Sequence, residues 1–172
     1  NTMSVAAAAI NKGQIGVALQ VVEDALEKDP DDAELMRYLI LGHLAGQDPE
    51  AAAAVFPRVG ARLNQDPGLL KLRSLTRWRL GDLDGALADA RRCSELSSDP
   101  GHIQLEADIL EDAGRPQQAL EILASRLESE PCSRALGLAA ARIARSLGRN
   151  ADARRTYLRL VDCDSRDLSA HY

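Results

Sequence analysis

The stretch "GRPQQALEIL", Gly114–Leu123, joins a short polar turn to the beginning of an apolar helical pattern. Its skeleton is a glycine, an alanine five residues later and an uncharged residue nine residues later. The same skeleton recurs in "GDLDGALADA" from Gly81 and in "GQIGVALQVV" from Gly13. Because a skeleton that returns at a fixed period is the sequence signature of a repeat architecture, its spacing decides the fold.

Five glycines serve as the ruler of this repeat, with successive separations of 33, 35, 33 and 34 residues: Gly13, Gly46, Gly81, Gly114 and Gly148. The alanine is present in every copy: Ala18, Ala51, Ala86, Ala119 and Ala153. The uncharged position is also kept: Val22, Val55, Ala90, Leu123 and Tyr157. Alanine is common in this chain, so one match would be weak, but five matches in register are strong.

Each copy is expected to form a pair of helices. Apolar residues with helical spacing precede each glycine, and glycine ends a helix well because it enters the left-handed conformation without strain. A second helix then carries the alanine, whose small side chain lets two helices approach closely. Acid–proline steps such as Asp66-Pro67 are expected to end that second helix. Such a hairpin cannot bury its own apolar face and must stack on its neighbours.

These residues resemble the tetratricopeptide repeat family, whose unit is a 34-residue helix hairpin. The resemblance implies an all-α fold, a right-handed α-solenoid of about five hairpins in a single domain spanning residues 1–172. The expected units are residues 1–30, 31–67, 68–100, 101–133 and 134–167. Residues 168–172 are expected to begin a further, truncated helix.

Two features depart from the family pattern in the second unit. Pro57 and Gly60 lie inside its second helix, and an interior proline removes a helical hydrogen bond, so we expect a kink or an early end there. Leu39 stands where the first helix normally has a small residue, and the nearby Gly42 is a candidate for the close approach instead.

Composition limits the classes of function. Lys plus Arg number 21 and Asp plus Glu 26, so the 172-residue chain carries a net charge of −5. A mildly acidic chain without clusters of cations is a poor nucleic-acid binder, and no apolar stretch is long enough for direct membrane insertion. The three cysteines, Cys93, Cys132 and Cys163, form no CxxC pair. They favour a reduced compartment, and weakly the cytoplasm over the periplasm, with Cys93 as a small buried apolar residue.

No catalytic, cofactor-binding or metal-binding motif is visible. The three histidines, His43, His102 and His171, lie in different units without metal-ligand spacing, and phosphate-binding loops and nucleophile elbows are missing from the sequence. The sequence therefore predicts a protein that is not an enzyme and has no cofactor.

The resemblance implies a binding groove lined by the first helices. It places Met36, Ile40 and Leu44 in an apolar part of that groove. The candidate partner-binding residues are His43, Lys71, Trp78, Arg79, Asp108, Glu111, Asp112, Arg142 and Arg145. Two structural alternatives stay open: Trp78 packs between units, or the acidic residues pair with the arginines as ordinary salt bridges.

The favoured function is a protein-interaction scaffold that binds a peptide or partner protein in this groove. One alternative is a docking or regulatory segment of a larger enzyme, such as a transferase or hydroxylase. Another is a scaffold in bacterial envelope assembly or export, since the preference for Arg over Lys hints at a GC-rich bacterial genome. The open ends of a solenoid could also support self-association.

Overall fold

The computed structural model describes residues 2–169, with side chains up to residue 164. This part of the chain contains no strand. Its helices are α1 (Thr2–Asn11), α2 (Ile15–Leu26), α3 (Ala33–Ala45), α4 (Pro49–Val59), a 3₁₀ helix (Gly60–Asn64), α5 (Pro67–Arg79), α6 (Leu83–Leu96), α7 (Pro100–Asp112), α8 (Pro116–Ser129), α9 (Arg134–Ser146) and α10 (Asn150–Ser169).

The helices form two compact units, Asn1–Leu96 with α1 to α6 and Ser97–Tyr172 with α7 to α10. Within each unit every helix packs against the next one in the chain. The first helices of the hairpins also contact one another, α1 with α3 and α3 with α5 in one unit, and α7 with α9 in the other. This order of packing confirms the predicted all-α solenoid of helix hairpins.

Aspartates begin several of the first helices by capping them. Asp32 and Asp66 each accept hydrogen bonds from two backbone N–H groups of the following turn, and Asp99 accepts one from Gly101. Pro67 and Pro100 occupy the first positions of α5 and α7. The preceding helical segments end at Asn64 and Leu96, before these two steps, and aspartate and proline together then form the start signal of the next helix.

The turn inside each hairpin uses a left-handed residue, as predicted for four of the five repeats. Gly81 has φ of +83°, and Gly13, Gly114 and Gly148 are similar. The second repeat differs: Gly46 has φ of −77°, and the left-handed residue is Gln47, with φ of +61°. The chain closes this turn one residue later than expected, with the Asp48 N–H donating to the His43 carbonyl at 2.9 Å.

This shift moves the register of the whole second repeat by one residue. The buried alanine there is Ala52, which is fully buried, whereas the expected Ala51 is half-buried. Measured from Gln47 instead of Gly46, the ruler runs through residues 13, 47, 81, 114 and 148, so every spacing is 33 or 34. The alanine run at residues 51–54 hid the shift, because alanine fits either register.

The second helix of this repeat ends early, as the sequence predicts. α4 stops at Val59, two residues after Pro57, and Gly60 then takes φ of +64° to turn the chain into the 3₁₀ helix. Proline lacks the N–H that would continue the helical hydrogen bonds, so α4 has 11 residues where α6 and α8 have 14.

Glycines allow the close approach of two helix pairs. A Cβ atom built on Gly42 would lie 2.7 Å from Leu19 Cδ2 of α2, which supports the expectation that Gly42 supplies the close approach in the second repeat. A Cβ on Gly137 would lie 2.9 Å from Leu160 Cδ2, so α9 and α10 meet in the same way.

The expected beginning of a new helix at residue 168 is wrong for residues 168 and 169, which belong to α10. Residues 170–172 lie outside the described part of the chain, and so does His171. The boundaries expected for the five units otherwise stay predictions.

The cysteine interpretation needs a correction. Cys132, in the connection before α9, and Cys163, on α10, form a disulfide with their Cα atoms 5.6 Å apart. The two are 31 residues apart in sequence, so neighbouring-residue motifs give no sign of the pairing. The disulfide removes the basis for expecting a reduced compartment. Cys93 is buried, as predicted, and its thiol donates to the Pro67 carbonyl at 3.0 Å.

Candidate partner-binding surfaces

Three of the predicted residues lie together on α5 and form the first candidate surface, the α5 surface: Lys71, Trp78 and Arg79. Lys71 and Trp78 are half-buried and Arg79 is exposed, and the spacing of seven and eight residues places them on one side of the helix. Between them, Leu75 packs against the apolar core of the same unit. The α5 surface thus combines two cations and an indole on the side of α5 where Leu75 packs against the core.

Arg79 also has a structural contact. Its guanidinium donates a hydrogen bond to the carbonyl of Leu44 near the end of α3. The last carbonyls of a helix lack partners within that helix, so this contact caps α3 and ties it to α5. Arg79 therefore combines an exposed side chain with a role in holding two first helices together.

The apolar part of the expected groove does not exist on α3. Met36, Ile40 and Leu44 are buried in the core, and His43 is half-buried. The one-residue register shift explains the burial of Met36 and Ile40, because it moves their groove positions to Arg37 and Leu41; Leu44 keeps a groove position in both registers and is buried nevertheless.

Arg37 is the residue that sequence reasoning missed. Its Nη2 atom lies 2.5 Å from Asp66 Oδ2, at the beginning of α5, and 3.2 Å from Glu34 Oε1. A Cβ on Gly68 would lie 2.5 Å from Arg37 Nη1, so the glycine leaves room for the guanidinium. Measuring the repeat from Gln47 would have found this residue.

The second candidate surface, the α7–α9 surface, lies in the other unit. It consists of Asp108, Glu111 and Asp112 on α7 and Leu138, Arg142 and Arg145 on α9. Arg142 Nη2 lies 3.1 Å from Asp108 Oδ1 and 2.6 Å from Glu111 Oε2, so the arginine bridges the two first helices. For Arg142 the salt-bridge alternative is confirmed.

Burial and charge both act on the acidic side of this surface. Burial raises the pKa of the Asp108 carboxyl above its usual value, and the nearby Glu111 and Asp112 carboxylates add to the rise. The positive charge of Arg142 opposes it. In return, the hydrogen bond to Glu111 raises the pKa of the Arg142 guanidinium, so that this arginine stays charged.

Arg145 differs from Arg142 although both lie on the same side of α9. Arg145 is exposed, and no residue among those with described side chains lies within ion-pairing distance of it. Leu138 is also on this side, seven residues earlier, and is 44 % exposed. An unpaired cation therefore shares one helix face with an exposed apolar side chain.

The described residues include no group of three or more His, Cys, Asp or Glu side chains that could hold a metal ion. In the same part of the chain, none of the helices has both the length and the apolar character needed to cross a membrane.

Helix hairpins that stack in chain order, with a small alanine buried in each second helix, define the class of tetratricopeptide-like helical repeat proteins. A family model described as "Tetratricopeptide repeat" matches residues 6–67 and 105–168, well over half of the chain. The chain belongs to the tetratricopeptide repeat family. A comparison with curated proteins finds no match.

Solved structures show the same fold. Pseudomonas aeruginosa pilF is 16% identical with a TM-score of 0.78, over 94% of this chain and 74% of that chain. A thermophilic tetratricopeptide protein of Thermus thermophilus is 20% identical with a TM-score of 0.73, over 98% and 93%. A structure of MamA is 11% identical with a TM-score of 0.75, over 96% and 97%. At these identities the similarity concerns the fold.

Proposed function

We propose that this chain is a non-catalytic scaffold that binds a partner protein through the first helices of its repeats. The tetratricopeptide fold generally supports protein interaction. The observation that carries the finer proposal is the α9 face, where Arg145 has no ion pair with a described residue and exposed Leu138 lies two turns earlier on the same side. Such a face suits a peptide segment that carries a carboxylate next to an apolar side chain.

The α5 surface supports the same function in the other unit. Trp and Arg are the residue types that most often dominate binding energy at protein interfaces, and Trp78 and Arg79 are adjacent there. The ion pairs of Arg142 stand apart from this role, because a paired arginine has less to offer a partner. We therefore assign Arg142 to the packing of α7 against α9 and Arg145 to partner binding.

The test compares two charge reversals. One is Arg145→Glu. The control is Arg159→Glu, which makes the same change of charge at an exposed arginine of α10. Both variants and the wild-type chain are used to capture proteins from cells that encode this protein. A partner retained by wild type and Arg159→Glu but lost by Arg145→Glu supports the proposal. Identical capture by all three would contradict it.

One observation favours a particular setting for this scaffold. Disulfides persist in oxidising compartments and are rare in the cytosol. The Cys132–Cys163 disulfide therefore favours the envelope scaffold over a cytoplasmic one. Mass spectrometry of the protein isolated from its own cells, with thiols blocked at lysis, decides the matter: finding both cysteines as free thiols would overturn this assignment.

A further inference from the structure

A groove between α9 and α10, here named the α9–α10 groove, has a volume of about 290 Å³. Arg145 of α9 lines one side of it. The rest of the lining comes from α10 and consists of Asn150, Ala153, Arg154, Tyr157, Leu158 and Val161. Leu158 is 54 % exposed and Val161 62 %, so two large apolar side chains lie open to water there. Adjacent exposed apolar side chains of this kind mark an interaction site.

The preceding hairpin shows how the same groove looks when it is filled. The repeat period of 34 residues puts Leu127 of α8 at the position that Val161 has in α10. Leu127 is only 6 % exposed. The difference is α9, which packs against both α7 and α8, and whose Ala140 and Ala144 lie around one cavity with Leu127. The covering that fits such a hairpin is therefore a helix with a small or apolar side.

The charges of the α9–α10 groove indicate what this helix must carry. Arg154 is exposed and stands where the preceding hairpin has the buried Leu120. Neither Arg154 nor Arg145 has an ion pair with any residue whose side chain is described. The described residues that line the groove include no carboxylate. Two uncompensated guanidiniums beside exposed apolar side chains favour a partner that brings carboxylates.

The molecule contains an example of the required pairing. Glu111 of α7 stands at the repeat position of Arg145, and the helix that covers it, α9, supplies Arg142. Arg142 Nη2 lies 2.6 Å from Glu111 Oε2. Opposite charges thus join two stacked first helices at this position. Because α9 itself has a cation there, a helix laid over the α9–α10 groove in the same way needs an acidic residue.

Two contacts hold the walls of the groove in place. The Cys132–Cys163 disulfide ties α10 to the connection before α9, two residues beyond Val161. Gly137 of α9 lets Leu160 of α10 approach closely. A groove that is already formed spares a partner the cost of ordering it.

We infer that the α9–α10 groove docks an amphipathic helix of an acidic partner protein, which packs on Leu158 and Val161 and pairs its carboxylates with Arg145 and Arg154. This inference deepens the proposed function and rests on it, because Arg145 belongs to both surfaces. A second copy of this chain fits the groove less well. Its α1 has the exposed Val5 but no acidic residue within Thr2–Asn11.

The experiment separates the groove from the rest of α10. The probe is a fluorescein-labelled helical peptide of the length of α9, with Leu along one side and Glu beside it, and its counterpart has Lys in place of Glu. Binding to the full chain is measured by fluorescence anisotropy. The test variants are Arg154→Glu and Leu158→Ser. The matched control is Arg159→Glu, at another exposed arginine of α10 that lies outside the groove.

We expect wild type and Arg159→Glu to bind the Glu peptide equally, and Arg154→Glu and Leu158→Ser to bind it at least tenfold more weakly. The Lys peptide should also bind wild type at least tenfold more weakly. No binding of the Glu peptide, equal binding by Arg154→Glu, or no preference for Glu over Lys would overturn the inference. If a variant fails to fold, as judged by circular dichroism, NMR on the wild type decides: the Glu peptide must then shift the amide signals of Ala153 and Tyr157, and shifts elsewhere alone refute the site.

A further variant, Leu138→Ser, distinguishes this inference from the proposed function, because Leu138 lies on the α9 face and does not line the groove. Peptide binding that is lost in Leu138→Ser but kept in Leu158→Ser would assign the peptide to the α9 face. That result would overturn the groove and leave the proposed function standing. A dimer in analytical ultracentrifugation that Leu158→Ser abolishes would assign the groove to a second copy and overturn the acidic partner.

Discussion

Reduction of the Cys132–Cys163 disulfide should destabilise the last hairpin substantially. The bond joins the connection before α9 to the distal part of α10 and closes a loop across a separation of 31 residues. A cross-link of that span removes chain entropy from the unfolded state worth about 3.7 kcal/mol. Two other contacts hold this end of α10 to α9. Leu160 is buried against Gly137, and the exposed Arg134–Asp164 ion pair, at 3.8 Å, adds little to the stability.

The expected consequence is a lower melting temperature under reducing conditions. At roughly 2–4 °C per kcal/mol for a chain of this size, reduction should lower Tm by roughly 7–15 °C. The measurement is thermal unfolding followed by circular dichroism, with and without a phosphine reductant. Cys132 is exposed and Cys163 half-buried, so the reductant can reach the bond in the folded protein.

The control is the double variant Cys132→Ser/Cys163→Ser. Its Tm should match that of the reduced wild type and should not change when the reductant is added. Thiol titration of the unfolded, unreduced chain should detect one thiol, since Cys93 is the cysteine outside the disulfide, and three after reduction. A titre of three before reduction, or a Tm that reduction leaves unchanged, would refute the reasoning.

Further measurements address other parts of the chain. Asp89→Ala leaves Arg73 and Arg77 without their buried partner and should lower the free energy of unfolding by about 3 kcal/mol in a urea titration. The same substitution of an exposed aspartate should lower it by less than about 1 kcal/mol. Gln47→Gly removes left-handed strain and should raise the same free energy by about 0.5–1 kcal/mol; a loss would contradict the turn geometry. Burial raises the pKa of Asp108, so the folded state binds this proton more tightly than the unfolded state, and the stability contributed by Asp108 falls as pH rises through that window. Arg142→Ala should raise this pKa further in an NMR titration, and a lower pKa would show that the arginine does not act on the carboxylate.

The periodic sequence predicts the architecture well because each hairpin repeats the same local signals. Each copy needs a residue that turns left-handed, which is glycine in four copies and Gln47 in the second, and an alanine that lets helices meet, so their spacing carries the fold. The prediction is weakest where two adjacent residues fit equally. Gly46 and Gln47 both follow α3, and the alanine run after them fits both registers. The sequence analysis therefore assigned the left-handed turn to Gly46, whereas the structure has it at Gln47.

The candidate surfaces were harder to predict for the same reason. A one-residue shift rotates a helix by about 100°, which exchanges core and surface positions. Ile40 is therefore in the core and Arg37 is partly exposed, while the predicted residues of α5, α7 and α9, whose register was right, are all partly or fully exposed. The disulfide depends on packing across the hairpin, and no local pattern reports it.

The burial of Cys93 has a practical consequence for spectroscopy. With the other two cysteines joined, the folded chain offers no accessible thiol to a maleimide dye or spin label. A cysteine introduced at an exposed position such as Ala54 would then react alone, without removal of any native cysteine. Distances and motions of the repeats can be followed in the otherwise natural sequence.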